Sequence, residues 1–157
     1  MIRSFRPEDR EHIYNMLCRT EQFNQDDVNV AMELIDIAVS LPSQRDYNIF
    51  VCEEEKILGY HCTGRRPLTD GVFDLYWIVA DPRAGKKGIG TQLLRHAEEF
   101  VKSENGRLML AETSSRDIYE GTRNFYLKNN YDLLAEIKHF YSEGESLMVF
   151  GKYFRLN

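Results

Sequence analysis

One segment constrains the fold more than any other: Ile78-Val79-Ala80-Asp81-Pro82-Arg83-Ala84-Gly85-Lys86-Lys87-Gly88-Ile89-Gly90-Thr91. It leaves the nearly continuous apolar stretch Val72 to Ala80 and enters an amphipathic run carrying Leu93, Leu94, Ala97 and Val101. A stretch of that apolar character predicts a buried strand, central in its sheet, and the following spacing predicts a helix. Three glycines within six residues allow the backbone to approach a ligand closely. The helix that opens there offers unpaired N–H groups and the positive end of its dipole. Strand, glycine turn and helix N-terminus together make an anion cradle suited to phosphate. Lys86 and Lys87 add positive charge there, in a chain whose net charge is −5. That acidic balance argues against broad electrostatic adhesion to nucleic acid.

Around this segment the pattern alternates between strand and helix. Met1 to Arg6 reads as a short strand, Pro7 starts a helix, and a second helix begins near Asp26–Asp27 and closes at Pro42. Tyr47 to Glu53 and Ile57 to Gly64 form a hairpin across a charged turn. After the cradle helix come a strand at Arg107 to Ala111 and a helix at Tyr119 to Asn129, with Ser114, Ser115 and Asp117 as caps. Two strands follow, Tyr131 to Tyr141 and Leu147 to Phe154. The order β-α-α-β-β-β-α-β-α-β-β predicts an α/β (α+β) fold: a mixed sheet with helices on its faces, neither a pure βαβ repeat nor a bundle. The 157 residues suit one domain, 1–157, with no linker or repeat dividing it. No apolar run is long enough to span a bilayer, and the first ten residues are too charged for a secretory signal. Cys18, Cys52 and Cys62 lack metal-like spacing and are expected as reduced, buried thiols. A cytoplasmic protein without a membrane or nucleic-acid partner is the expectation, and no metal site is expected.

Two familiar phosphate loops fail the match. No Gly-Lys-Ser/Thr completes a P-loop, and the glycines run GxxGxG rather than GxGxxG. Strand, Asp-Pro, then xxGxG with a small hydroxyl residue and Leu-Leu resembles instead the coenzyme-A-binding motif of the GNAT superfamily of N-acetyltransferases. Gly85 stands where that motif has Gln or Arg. A second signature is similar to Tyr119-Glu120-Gly121-Thr122-Arg123-Asn124-Phe125-Tyr126-Leu127-Lys128-Asn129-Asn130-Tyr131: Tyr126 and Tyr131 match, while Tyr119 replaces Asn and Asn130 replaces Gly. The element order also agrees over nearly the whole chain, which implies the GNAT-like, mostly antiparallel sheet with helices on both faces.

The resemblance implies acetyl-CoA as cosubstrate, without a metal, and acyl transfer to a primary amine of a small molecule or peptide. The pyrophosphate would lie on the turn formed by Gly85, Lys86, Lys87, Gly88, Ile89, Gly90 and Thr91. The pantetheine arm would pair with the backbone of Ile78, Val79 and Ala80, with the Val79 N–H facing the thioester carbonyl. Tyr119 would line the same site. Tyr126 is the candidate general acid, since a phenol of pKa about 10 is protonated at neutral pH. For the general base, Asp74 is the first candidate, a lone carboxylate in an apolar strand. Glu112 and a water relay are the alternatives. His61 could titrate in the useful range, and His96, among charged neighbours, reads as surface. Many members of the family dimerise, so a homodimer is a candidate assembly. Two other readings compete: a non-catalytic acyl-CoA-binding module of the same fold, and a nucleotide-binding protein using the glycine turn.

Overall fold

A computed structural model describes residues 1–85 and 87–155; Lys86, one of the predicted cradle residues, lies outside the described residues. The elements are β1 (Ile2–Ser4), α1 (Arg10–Arg19), α2 (Gln25–Ser40), β2 (Asn48–Glu53), β3 (Ile57–Arg65) and β4 (Val72–Ala80). They continue with α3 (Ile89–Ser103), β5 (Leu108–Ser114), α4 (Glu120–Lys128), β6 (Asp132–Ser142) and β7 (Glu145–Tyr153). The strands form one seven-stranded sheet in the order β1-β2-β3-β4-β5-β7-β6, which makes β4 central as its apolar run predicts. β4 pairs with β5 in parallel, and the pairs β1–β2, β2–β3, β5–β7 and β6–β7 are antiparallel. No helix among the described residues is long and apolar enough to cross a membrane.

The chain groups into two compact units. The first comprises Met1–Gly64 with Tyr76–Glu99. In it Ile13, Met16 and Leu17 of α1 and Val28, Ala31, Met32 and Ile35 of α2 recur at helical spacing, which puts each set on one face. They pack with Ile49, Val51, Tyr60, Cys62 and Val79 of the strands into one core. Asn24 opens α2: its side chain accepts the Asp27 N–H at 2.9 Å, and the Asp27 carboxylate accepts the Asn24 N–H at 2.9 Å. The helix therefore starts at Gln25, near the Asp26–Asp27 pair as expected, with Asp27 closing the reciprocal cap. A second apolar cluster holds Cys52, Leu58, Ala84, Ile89 and Leu93.

The other unit comprises Arg65–Leu75 and the chain from Phe100 onward. β5 runs to Ser114 rather than stopping at Ala111, because its ladder with β7 continues through Ser114↔Leu147. Ser114 is consequently a strand residue, and Ser115 and Asp117 do not cap α4 either, which begins at Glu120 with no side-chain cap bond. The helix ends with the Asn130 N–H donating to the Leu127 carbonyl and the Tyr131 N–H to the Tyr126 carbonyl. That doubly bonded ending requires a left-handed residue. Asn130 supplies it at φ +68, so asparagine performs here the turn that glycine performs in the family pattern. β7 likewise starts two residues earlier than predicted, at Glu145.

Cys52 and Cys62 are buried thiols as expected, whereas Cys18 is exposed. His96 departs from the surface reading. Its Nδ1 shares a hydrogen bond at 3.0 Å with Nε2 of His61, whose Nδ1 meets Thr63 Oγ1 at 2.9 Å. The Phe50 ring lies against both imidazoles, 5.2 Å from His61 and 4.6 Å from His96. His61 is fully buried, and burial, reinforced by His96, pushes its pKa down to about 3.

A consequence for acid stability follows from the sign of that shift. Below about pH 6.5 an unfolded His61 binds a proton that the folded side chain refuses, so protons favour unfolding. Stability present above pH 6.5 is then lost as pH falls toward 3. Urea titrations at pH 7, 6 and 5 are expected to show a loss approaching about 1.4 kcal/mol per pH unit for this one group. His61→Gln, which cannot titrate, should flatten that slope; an unchanged slope would contradict the assignment.

Candidate active site

The glycine turn is built from its two anchors inward. On the N-terminal side, Asp81 is buried and its Oδ1 accepts the Arg83 N–H at 2.9 Å, while its carbonyl accepts the Ala84 N–H at 2.8 Å. Burial pushes the Asp81 carboxyl up, but the hydrogen bonds from Arg19 and the Arg83 N–H outweigh it and hold it below the usual carboxylate range. These contacts shape a single 3₁₀ turn at Pro82–Ala84 that ends at Gly85. On the far side, Ile89 and Leu93 are buried with Ala84 in one cluster. The apolar anchors leave Gly85, Lys87 and Gly88 at the surface between them.

Gly85 and Gly88 both take left-handed backbone, φ +68 and +70, and a Cβ placed at either meets nothing within 4 Å. Side chains are thus excluded by backbone conformation, while the space in front of the turn is open. Gly88 accepts the Gln92 N–H at 3.0 Å, the first turn of α3, and the N–H groups that open an α-helix have no partner within it. An open turn, bare at Gly85 and Gly88, at a helix N-terminus fits a pyrophosphate. Lys87 extends to Glu54, with Nζ 3.6 Å from the carboxylate, both exposed. Leading into the turn, Val79 is buried, Ile78 half-buried and Ala80 exposed.

The candidate general bases meet on one cation. Asp74 is 7% exposed, and both of its oxygens accept from Arg66: Nε at 3.2 and 3.1 Å and Nη2 at 2.7 Å. Glu112, exposed on β5, reaches the same Nη2 at 3.5 Å. The residue type suggested a carboxylate with a purpose or a partner, and Arg66 is that partner. The Arg66 N–H donates to the Val72 carbonyl at 2.8 Å, which puts Asp74 two residues along the strand that Arg66 faces.

Tyr126 is 4% exposed and buried in an aromatic cluster, with Phe150 stacked at 5.7 Å and Phe125 and Tyr131 each at 5.6 Å. Burial raises its phenol above the ordinary tyrosine range. Tyr119 lies not within the helix, as its spacing implied, but in the 3₁₀ turn Asp117–Tyr119 that precedes α4. Arg123, between the two tyrosines, donates to the carbonyls of Ser114 and Arg116 at 2.8 Å each and so ties α4 to the end of β5.

Residues 45–133 match the acetyltransferase (GNAT) domain family. Over 129 residues the chain is 26% identical to the S-(2-succino)cysteine N-acetyltransferase of Bacillus subtilis, a match that covers 78% of each protein. A solved Desulfovibrio desulfuricans protein of the GNAT family is 30% identical and superposes with a TM-score of 0.93, over 98% of both chains. The fold is shared more distantly with YncA of Salmonella typhimurium, solved with its cofactor acetyl-CoA: 15% identity, TM-score 0.76, 100% of this chain and 95% of the other. With more than half of its length matched by the family and its fold reproduced in a relative over 98% of this chain and of that one, the chain belongs to the GNAT family of acetyltransferases.

Proposed function

We propose that residues 1–157 act as one acetyl-CoA-dependent N-acetyltransferase domain, moving the acetyl group to a primary amine of a small molecule or peptide by direct attack. The observation that carries this reading is the open, left-handed glycine turn at the start of α3 in a chain of this family. Gly85, Lys86, Lys87, Gly88, Ile89, Gly90 and Thr91 would hold the pyrophosphate, mainly through backbone N–H groups. Ile78 to Ala80 would pair with the pantetheine arm, and Tyr119 would contribute to the cofactor site. Acetyl-CoA, when bound, supplies an activated thioester.

The chain's own groups then divide the work. The Val79 N–H stabilises negative charge developing on the acetyl carbonyl oxygen. A C–N bond forms as the C–S bond breaks; Tyr126 gives its proton to the departing sulfur, and the amine loses one to a base. Asp74 enters as first base candidate, with Glu112 beside it on Arg66 and water as a third route. The relative from Bacillus subtilis makes S-(2-succino)cysteine one acceptor to test, alongside polyamines, amino acids, aminoglycosides and peptide N-termini. Tyr126's near-complete burial favours the second reading, a binding module without turnover. Release of free thiol from acetyl-CoA across the amine panel separates the two: binding without release supports the module. A cytoplasmic location and a homodimer belong to the same proposal.

Three substitutions test the parts. Gly88→Val is expected to abolish CoA binding in a folded protein, because the turn needs left-handed backbone and a bare approach; retained affinity would overturn the cradle. Tyr126→Phe should lower kcat by about 10²–10⁴ with little change in KM for acetyl-CoA. A purely structural tyrosine would instead show a lower melting temperature with near-normal turnover. Asp74→Asn should depress turnover mainly below the amine's pKa while CoA affinity holds. A pH–rate profile of unchanged shape, together with a lower melting temperature, would leave Asp74 as the partner of Arg66 alone.

A further inference from the structure

We propose that Arg19 is a positioning residue for the cradle: from the end of α1 it fixes, through Asp81, the backbone that leads into the glycine turn. The proposal rests on the acyltransferase reading above. Arg19 Nη2 donates to Asp81 Oδ2 at 2.6 Å across 62 residues of sequence. Asp81 spends its remaining groups on the strand and the turn. Its N–H donates to the Leu58 carbonyl at 2.8 Å, Oδ1 accepts from the Arg83 N–H, and its carbonyl accepts from the Ala84 N–H. Among the described residues, the backbone bonds that start the turn pass through one buried residue, and Arg19 holds its second carboxylate oxygen.

As a stabilising device the pair is poorly built. Arg19 Nε is buried with no hydrogen-bond partner, and a desolvated ion pair returns little net stability. As a positional clamp it is well placed. Without Arg19 the carboxylate keeps only the Arg83 N–H at 2.9 Å and the exposed Arg83 Nε at 3.7 Å, both on Oδ1, so it can rotate about that oxygen and carry the 3₁₀ turn it caps with it. An arginine anchored on a packed helix removes that freedom. Ile13, Met16 and Leu17 bury α1 in the core of the same unit, so Arg19 projects from a fixed base.

The test is CoA affinity by calorimetry for the wild-type protein, R19K, R19Q, D81N and R19Q/D81N, with kcat at saturating acetyl-CoA and amide hydrogen exchange across residues 83–89. R10Q, which breaks the exposed Arg10–Asp36 pair, is the control. R19Q is expected to weaken CoA binding about ten- to hundredfold, as small displacements of a binding group do. It should also speed exchange in the turn and leave kcat unchanged. R19K should fall between wild type and R19Q, and R19Q/D81N should bind no more weakly than D81N alone, since both act on one contact. Unchanged CoA affinity and turn exchange in R19Q, additive effects of R19Q and D81N, or an equal loss in R10Q would each overturn the proposal. If R19Q fails to fold, R19K and D81N carry the same comparison. A wild-type protein that binds no CoA would overturn the acyltransferase reading and this proposal together; normal wild-type binding with an unaltered R19Q overturns this proposal alone.

Discussion

A helix can lend its first N–H groups to a ligand only if the chain that reaches it turns away without filling the space ahead. In this protein that constraint falls on Gly85 and Gly88, which adopt left-handed backbone in front of α3. Exposed, and without a side chain at either glycine, such a turn has little packing of its own to define it. Its shape is imposed by its ends: Asp81 with its bonds to Leu58, Arg83 and Ala84 on one side, and Ala84, Ile89 and Leu93 in the apolar cluster on the other. Turn and core are therefore one construction. The strand and helix are packed so that Gly85 and Gly88 need not be.

The charged interior follows a single rule. The chain carries 25 acidic against 20 basic side chains, yet three of its buried aspartates each meet an arginine. Asp9 pairs with Arg3, which also grips Glu53; Asp74 pairs with Arg66, which also reaches Glu112; Asp81 pairs with Arg19. Guanidinium suits this task because its planar fork can serve two carboxylates and stays charged when desolvated. At Asp9, burial raises the carboxyl, but Arg3 and the Arg6 N–H hold it below the usual range. The His61–His96 pair is handled differently, by suppressing charge rather than matching it.

Local sequence determined a good deal. Periods of two and of 3.6 residues, read against glycine and proline, were enough for the element order and for the central rank of Val72–Ala80. The glycine turn was legible because three glycines within six residues, between an apolar strand and an amphipathic helix, are a property of local sequence. Tyr126 stood out as a candidate through motif spacing, and Asp74 through being a charge among apolar neighbours. Boundaries were less legible where they depend on pairing. β5 extends to Ser114 because β7 is there to accept its bonds, which nothing within Arg107–Ser114 encodes.

Only the tertiary structure decided the partners. Arg66 for Asp74 spans a hairpin, His96 for His61 spans a strand and a helix, and Arg19 for Asp81 spans 62 residues. A charge on a strand reads the same in sequence whether it faces water, a substrate or a guanidinium; what distinguishes them is the free energy of desolvation, which depends on everything packed around the side chain. Backbone preference and amphipathic period are properties of neighbours in sequence, and so the chain alone determined strand, helix and the glycine turn between them. Burial and charge pairing are properties of neighbours in space, and those were settled only when β4, α1 and α3 came together around Asp81 and its turn.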